Sequence, residues 1–447
     1  MITPRTLSGF MELLPADQIR FNAMLDAIRR SFELYGFTPL DTPVIESAEI
    51  LLAKGGGETE KQIYRFQKGE HDLALRFDLT VPLAKYVAIN AGTLAFPFRR
   101  YQIGKVYRGE RSQRGRYREF YQCDIDVIGD GALGIMSEAE IPSVIYNTFN
   151  ALGLRGFVIR FNNRKVLSGL FAILGVSDNA ADIMRTIDKI DKIGADATRE
   201  LLITDANCAA ETAEQLVALI TSKNDPIETL QAFAGRNETF DTGLSELATV
   251  AQTLDAFGVP RENYTIDLTI ARGLDYYTGT VYETTITKHP EIGSICSGGR
   301  YDNLAEYYTS RALPGVGISI GLTRLFYVLS EQGYLNPELP TAPCDVLVLP
   351  MTDDFAAAIA LCSSLRNAGI RTALYTEPKK FKQKMAYADK LAVPYVAILG
   401  EDEIAQGKIT LKDMKTGEQT TASAALLIAG LADRVRESRG IKPIVDN

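Results

Sequence analysis

Arginine and carboxylate side chains, rather than histidine or cysteine, have the spacing in this chain that could carry chemistry. From Phe98 to Val127 the sequence reads FRRYQIGKVYRGERSQRGRYREFYQCDIDV, which parses as a strand, a basic loop and a returning strand. Side chains two apart in a strand share a face. On the return, Tyr121, Cys123, Ile125 and Val127 therefore point one way and Phe120, Gln122, Asp124 and Asp126 the other. On the outgoing strand Arg108 and Glu110 share a parity, and Arg111, Arg114, Arg116 and Arg118 crowd the turn. A charged hairpin on its own would be solvated antiparallel sheet. A guanidinium-rich turn joined to an aromatic, an amide and two carboxylates suits instead a phosphate-bearing ligand beside a small cationic or amide-like one.

Other segments hold side chains of the same kind. In LALRFDLTVPLAKY, alternation predicts a strand that separates Leu75, Phe77, Leu79 and Val81 from Arg76, Asp78 and Thr80. In YTIDLTIARGLDYYTG, Ile266, Leu268, Ile270 and Arg272 share a parity, which puts Arg272 at a strand end beside apolar neighbours. Burying an arginine there is costly without an anion, either Asp275 as a structural partner or a ligand. Tyr276 and Tyr277 follow, a pair that serves equally well as core packing. GVGISIGLTRLFYVL predicts a buried strand running into a helix that opens at Gly321. Its first turn carries Arg324, where a helix N-terminus and a guanidinium together favour phosphate.

Taken together, these stretches resemble the class II aminoacyl-tRNA synthetases, and in wording the histidyl family. The helix and proline-bearing strand before Ser47 resemble motif 1, the central hairpin motif 2, and GVGISIGLTR motif 3. ARGLDYYTG and SICSGGRYDNL match the two histidine-specific signatures, and R-x-DLT stands where the family reads RPEGT or DLT. The resemblance implies an α+β fold: an antiparallel-sheet catalytic domain with a helical insertion, and a C-terminal α/β anticodon-binding domain. It also implies ATP with Mg²⁺, L-histidine and tRNA(His) as substrates, a homodimer, and no protein-ligated metal.

The same resemblance implies roles. Arg108 and Arg272 contact the α-phosphate and are the catalytic pair, Arg324 takes the γ-phosphate, and Phe120 stacks on adenine with Glu110 and Arg116 nearby. Asp78, Thr80 and Gln122 orient the amino group, and Asp126 and Tyr277 bracket the imidazole, with Tyr276 and Tyr301 in the same pocket. Gln113 in the motif 2 loop and Lys380, Lys382 and Lys384 in the C-terminal domain are tRNA-facing. Two other functions share the fold: a regulatory subunit of ATP phosphoribosyltransferase, and an uncharged-tRNA sensor fused to a kinase, for which no kinase segment is present.

The elements that must position these groups divide the chain. A length of 447 residues calls for two to four domains. We place the catalytic core at 1–163 and 259–330, the insertion at 164–258, a linker at 331–342 and the anticodon-binding domain at 343–447. Residues 16–35 predict a helix stopped by Gly36, and Ser137 predicts the cap of a helix through SEAEIPSVIYNTFNALG. Gly55, Gly56 and Gly57 form no P-loop, since no GK[ST] follows. The five cysteines, odd in number and without CxxC, predict free thiols in a reducing compartment, the cytoplasm. His71 and His289 fall in turn-like stretches and predict exposed loops. No run approaches membrane-spanning length. A net charge of −8 leaves room for nucleic acid only through a local basic surface, for which Lys379 to Lys384 are the candidate.

Overall fold

The hairpin between Phe98 and Val127 supplies the second and third strands of the larger sheet in the computed structural model, which describes residues 1–53, 58–111, 115–270, 276–438 and 443–446. Its strands in chain order are β1 (Thr38–Pro39), β2 (Ile45–Ser47), β3 (Arg65–Lys68), β4 (His71–Leu75), β5 (Phe98–Tyr107), β6 (Glu119–Ile128), β7 (Phe157–Asn163), β8 (Tyr264–Ile266), β9 (Thr280–Ile286), β10 (Cys296–Tyr301) and β11 (Gly315–Gly321). Eight form one sheet in the order β1-β5-β6-β11-β10-β9-β7-β8. Only the outermost pairs, β1 with β5 and β7 with β8, are parallel; the rest are antiparallel. β2, β4 and β3 make a small antiparallel sheet.

The period-two pattern of β6 decides which face is which. Cys123, Ile125 and Val127 are fully buried on the apolar side. The helix Met136–Leu152 runs against β10 and β11 and buries Ile141, Val144, Ile145 and Phe149. The other face of the sheet is left for polar groups. Register then fixes neighbours: Arg100 stands opposite Asp126, Gln102 opposite Asp124, and Gly104 opposite Gln122. On the far side of β6, Gly317 pairs with Asp126 and Ser319 with Asp124.

Several local expectations are corrected. The predicted strand through Val81 ends at Leu75, and a helix, Thr80–Asn90, begins instead. Asp78 Oδ1 accepts from the backbone N–H groups of Thr80 (3.1 Å) and Val81 (2.9 Å), so its carboxylate serves the helix start rather than a ladder. Leu79, Leu83 and Val87 are buried at helical spacing, a period that alternation over 75–81 concealed. Ser137 does not cap its helix: its N–H already reaches the Gly134 carbonyl, and the helix starts at Met136. The strand expected to reach Arg272 stops at Ile266, because Asp267 turns the chain by accepting from Thr269 N (2.9 Å) and Thr269 Oγ1 (2.6 Å). Residues 271–275, Arg272 and Asp275 among them, lie outside the described residues. His71 opens β4, and His289 is partly buried, hydrogen-bonded to the Tyr334 hydroxyl (2.8 Å) and to Glu291 (3.2 Å).

The helix at the N-terminus spans Pro15–Leu34, and Gly36, at φ +73°, ends its turn in the left-handed region. Residues 164–258 are helical throughout their regular structure, from Arg164–Ile173 to Glu238–Thr253. All five cysteines are buried free thiols. Among the described residues no helix is long and apolar enough to cross a membrane.

The chain forms two compact units: Met1–Glu12 with Leu25–Leu335 and Val445–Asn447, and Leu13–Met24 with Asn336–Ile444. The second holds β12 (Val346–Pro350), β13 (Thr372–Leu374), β14 (Tyr395–Leu399), β15 (Lys408–Asp413) and β16 (Gln419–Ser423), ordered β13-β12-β14-β15-β16. The first three of that order are parallel and the last two antiparallel. β12 is an unbroken apolar run because both its faces are covered. Val346 and Val348 pack with Leu361, Leu365 and Leu431, while Leu347 and Leu349 pack with Tyr375 and Ala388.

Candidate active site

The polar face of the large sheet gathers acids, guanidinium groups and phenols into one pocket. Asp126, near the end of β6, is buried and held at both oxygens. The Tyr301 hydroxyl donates to Oδ1 at 2.6 Å, and the Arg100 guanidinium pairs with Oδ2 at 2.6 Å. Burial pushes this carboxyl up to about 6, against the pull of Arg100 and the phenol hydrogen bond. Asp124, two residues back on the same face, is pushed up to about 7 by burial, with Asp126 adding to the push and Arg100 opposing it. Like charges this close, in a site of low dielectric, resist double ionisation.

Three tyrosines close the pocket. Tyr276 meets Tyr277 edge-on at 5.0 Å and Tyr301 at 5.9 Å between ring centroids. Burial raises the Tyr277 phenol, and the charges of Asp126 and Asp124 raise it further, so it is neutral and able to donate. Tyr276 hydrogen-bonds the Thr80 side chain, which joins the capped turn at Asp78 to the same cluster. Asp78 is itself raised by burial, with Arg108 and Arg100 acting the other way. Small residues form the floor: a methyl group at Gly317 would overlap the Asp126 carboxylate.

Arg108 lies at the pocket's edge, just past the end of β5. Its Nε donates to the Phe77 carbonyl (3.2 Å), and its guanidinium lies 4.4 Å from the Phe77 ring centre and 5.1 Å from that of Phe120. Burial lowers its pKa, with Asp78, Glu110 and Asp124 offsetting. Gln122 donates to Ser319 Oγ at 2.5 Å, and its Oε1 is buried with no partner among the described residues. Further along, Arg116 pairs with Glu110 at 3.6 Å. Arg324, in the first turn of the helix Leu322–Glu331, donates to the Ser294 (3.0 Å) and Ile292 carbonyls. Burial lowers the Arg324 pKa and the Arg116 charge lowers it more, while Glu110 acts on Arg324 as it does on Arg108. Three cations, Arg108, Arg116 and Arg324, thus feel one acid, Glu110, an arrangement suited to a polyanion that displaces or joins it.

The structure accordingly brings Asp78, Thr80, Arg108, Gln122, Asp126, Tyr276, Tyr277 and Tyr301 to one pocket, with Glu110, Arg116, Phe120 and Arg324 on its approach. Gln113 and Arg272 lie outside the described residues. Lys380 and Lys382 are exposed in the second unit, but Lys384 is corrected: it is buried, with Nζ donating to the Pro350 carbonyl at 2.5 Å, so it serves that unit's interior rather than its surface. Sequence reasoning overlooked Arg100 and Ser319. Arg100 shares the even parity of Arg108, but its tie to Asp126 needs the β5–β6 register, which the sequence does not display.

A largely antiparallel sheet with buried guanidinium groups and acids on one face, and a last strand feeding an arginine-bearing helix, has the layout that the motif resemblance implies for a class II aminoacyl-tRNA synthetase core. Residues 9–325 match the family model for histidyl-tRNA synthetase, and residues 345–434 that for an anticodon binding domain. A histidine–tRNA ligase from Clostridium tetani is 54% identical over 426 residues, 95% of this chain and 97% of that protein. The crystal structure of histidyl-tRNA synthetase from Nostoc sp. PCC 7120 superposes with a TM-score of 0.88 at 39% identity, covering 97% of this chain and 100% of that one. An ATP phosphoribosyltransferase regulatory subunit/histidyl-tRNA synthetase from Bacillus halodurans C shares the fold, at a TM-score of 0.74 and 21% identity over 90% of this chain and 99% of that one. The chain belongs to the histidyl-tRNA synthetase family.

Proposed function

We infer that this chain is a histidine–tRNA ligase, acting in two steps. A carboxylate oxygen of histidine attacks the α-phosphorus of ATP; the bond to the bridging oxygen breaks, pyrophosphate leaves, and histidyl-adenylate forms. A terminal ribose hydroxyl of tRNA(His) then attacks the activated carbonyl, and AMP leaves. Transfer of this kind needs alignment and charge neutralisation more than covalent help.

The observation that carries the reading is a buried acid, Asp126, framed by phenols and guanidinium within a family-matched core. A buried acceptor rejects side chains that lack an N–H, because it would otherwise go unpaired. In our assignment Asp126 and Tyr277 read the imidazole, with Tyr276 and Tyr301 walling it. Asp78, Thr80 and Gln122 orient the α-ammonium. Arg108 and Arg272 neutralise the α-phosphate, Arg324 the γ-phosphate, and Phe120 stacks on adenine with Glu110 and Arg116 beside it. Mg²⁺ arrives with ATP as part of the substrate and needs no protein cage. The segment 343–447, with Lys380 and Lys382 on its surface and the loop residue Gln113 from the core, contacts tRNA. The protein acts as a cytoplasmic homodimer, with 164–258 inserted in the catalytic core.

The test is transfer of labelled histidine to tRNA by the full chain with ATP and Mg²⁺. Histidine carried into acid-precipitable tRNA is the expected result. Histidine binding without transfer would place the chain instead with the non-charging regulatory subunits that share its fold.

A further inference from the structure

Arg100 is fully buried in β5, and among the described residues its ion-pair partner is Asp126. Its Nη2 pairs with Asp126 Oδ2 at 2.6 Å and donates to the Leu79 carbonyl at 3.2 Å, while Nε and Nη1 have no hydrogen-bond partner among the described residues. Next to Asp126 stands a second acid, Asp124, also buried, whose Oδ1 has no partner among those residues either. Two carboxylates on one strand face are therefore set against a guanidinium that touches one of them. We propose that Arg100 is a positioning residue for histidine recognition: it holds Asp126 as an oriented carboxylate against the like charge of Asp124, so that Asp126 can accept an imidazole N–H. This rests on the reading of Asp126 as the imidazole acceptor.

The charged and titratable groups around Asp126 can be named element by element. β5 gives Arg100, β6 gives Asp124, and β10 gives Tyr301, whose hydroxyl donates to Asp126. The segment before β9 gives Tyr277, and the turn before the helix Thr80–Asn90 gives Asp78. β11 contributes Gly317 and Ser319, neither charged. Arg108 reaches the Asp124 side of the pocket. Within this set Arg100 is the cation that contacts Asp126, so its removal leaves buried acids that regain neutrality by taking a proton. A protonated Asp126 no longer offers its full acceptor strength to an imidazole N–H. Asp124, as the like charge beside it, works the opposite way.

The experiment is histidine-dependent pyrophosphate exchange by the full chain, with histidine varied between about pH 5.5 and 8.5. In R100M the acid limb of kcat/KM for histidine moves to higher pH by a unit or more, an effect of about tenfold or more on its steep part. R100K recovers part of the displacement, and the R100M/D124N double variant returns the limb toward the parent. Free histidine titrates alike in every variant, so differences between variants report the pocket. D124N alone, which keeps the Arg100–Asp126 pair, moves the limb to lower pH and supplies the test if R100M does not fold. An unmoved limb in folded R100M, or in D124N where R100M does not fold, overturns the inference. D126N separates the two levels: an unchanged KM for histidine refutes the parent reading, whereas a raised KM beside an unmoved R100M limb refutes this inference alone.

Discussion

Asp124 and Asp126 show what one buried side chain does to its neighbour. Each feels the guanidinium of Arg100, yet burial pushes Asp124 up to about 7 and Asp126 up to about 6, above the ordinary carboxylate value of 3.8. That displacement has a sign. Between the ordinary carboxylate range and about 7, the folded chain keeps protons that the unfolded chain has released. The stability these acids confer therefore falls as pH rises across that window, the reverse of a salt-bridged acid with a depressed pKa. Urea unfolding of the ligand-free protein from about pH 4.5 to 7.5 should show it, and D124N should give a flatter curve over the same range. A D124N curve as steep as the parent's would contradict the assigned shift.

At the scale of elements, the site is made by strand register more than by any single motif. Gly317 lies opposite Asp126 across the β11–β6 ladder, and the space over its α-carbon is taken by the Asp126 carboxylate and the Ile125 backbone carbonyl. Gly317→Ala should push Asp126 out of place and raise KM for histidine by roughly tenfold or more, the cost of a weakened buried hydrogen bond, while changing KM for ATP much less. Equal changes in both constants would mean that the strand, not the pocket, had failed. Alternation in the sequence was enough to separate the faces of β6, since Cys123, Ile125 and Val127 had to be buried together. It was not enough at Asp78, where a side chain that bonds its own backbone starts a helix within an alternating stretch. Nor could it reveal Arg100, whose importance lies in the residue across from it on another strand. Pattern reports what a residue does to its own element; pairing has to be seen.

Across the whole molecule, the overall net charge of −8 hides local exceptions that set the chemistry. The first unit sets Arg100 and Arg108 among the buried acids of its sheet, and the second exposes Lys380 and Lys382 at the start of the helix Phe381–Lys390. The family's motifs were legible because they are contiguous runs of residues. The limits of the two units were less so: the second begins at Asn336 and takes in Leu13–Met24, a grouping that depends on packing and leaves no mark in composition. If the second unit contacts tRNA through those lysines, the K380A/K382A double variant should raise KM for tRNA in charging by roughly several-fold, more at low salt than at high, where the phosphate contacts of the parent are already screened. Pyrophosphate exchange, which needs no tRNA, should hold. Loss of exchange would show instead that the substitutions had disturbed the fold.

The central claim is that acids, phenols and guanidinium groups from separate segments assemble one pocket that activates histidine. Exchange of labelled pyrophosphate into ATP by the full chain, with Mg²⁺ and single amino acids, tests it most directly. Exchange is expected with histidine, is lost when histidine is withheld, and does not appear with the other amino acids. A folded protein that binds histidine and catalyses no exchange would contradict it.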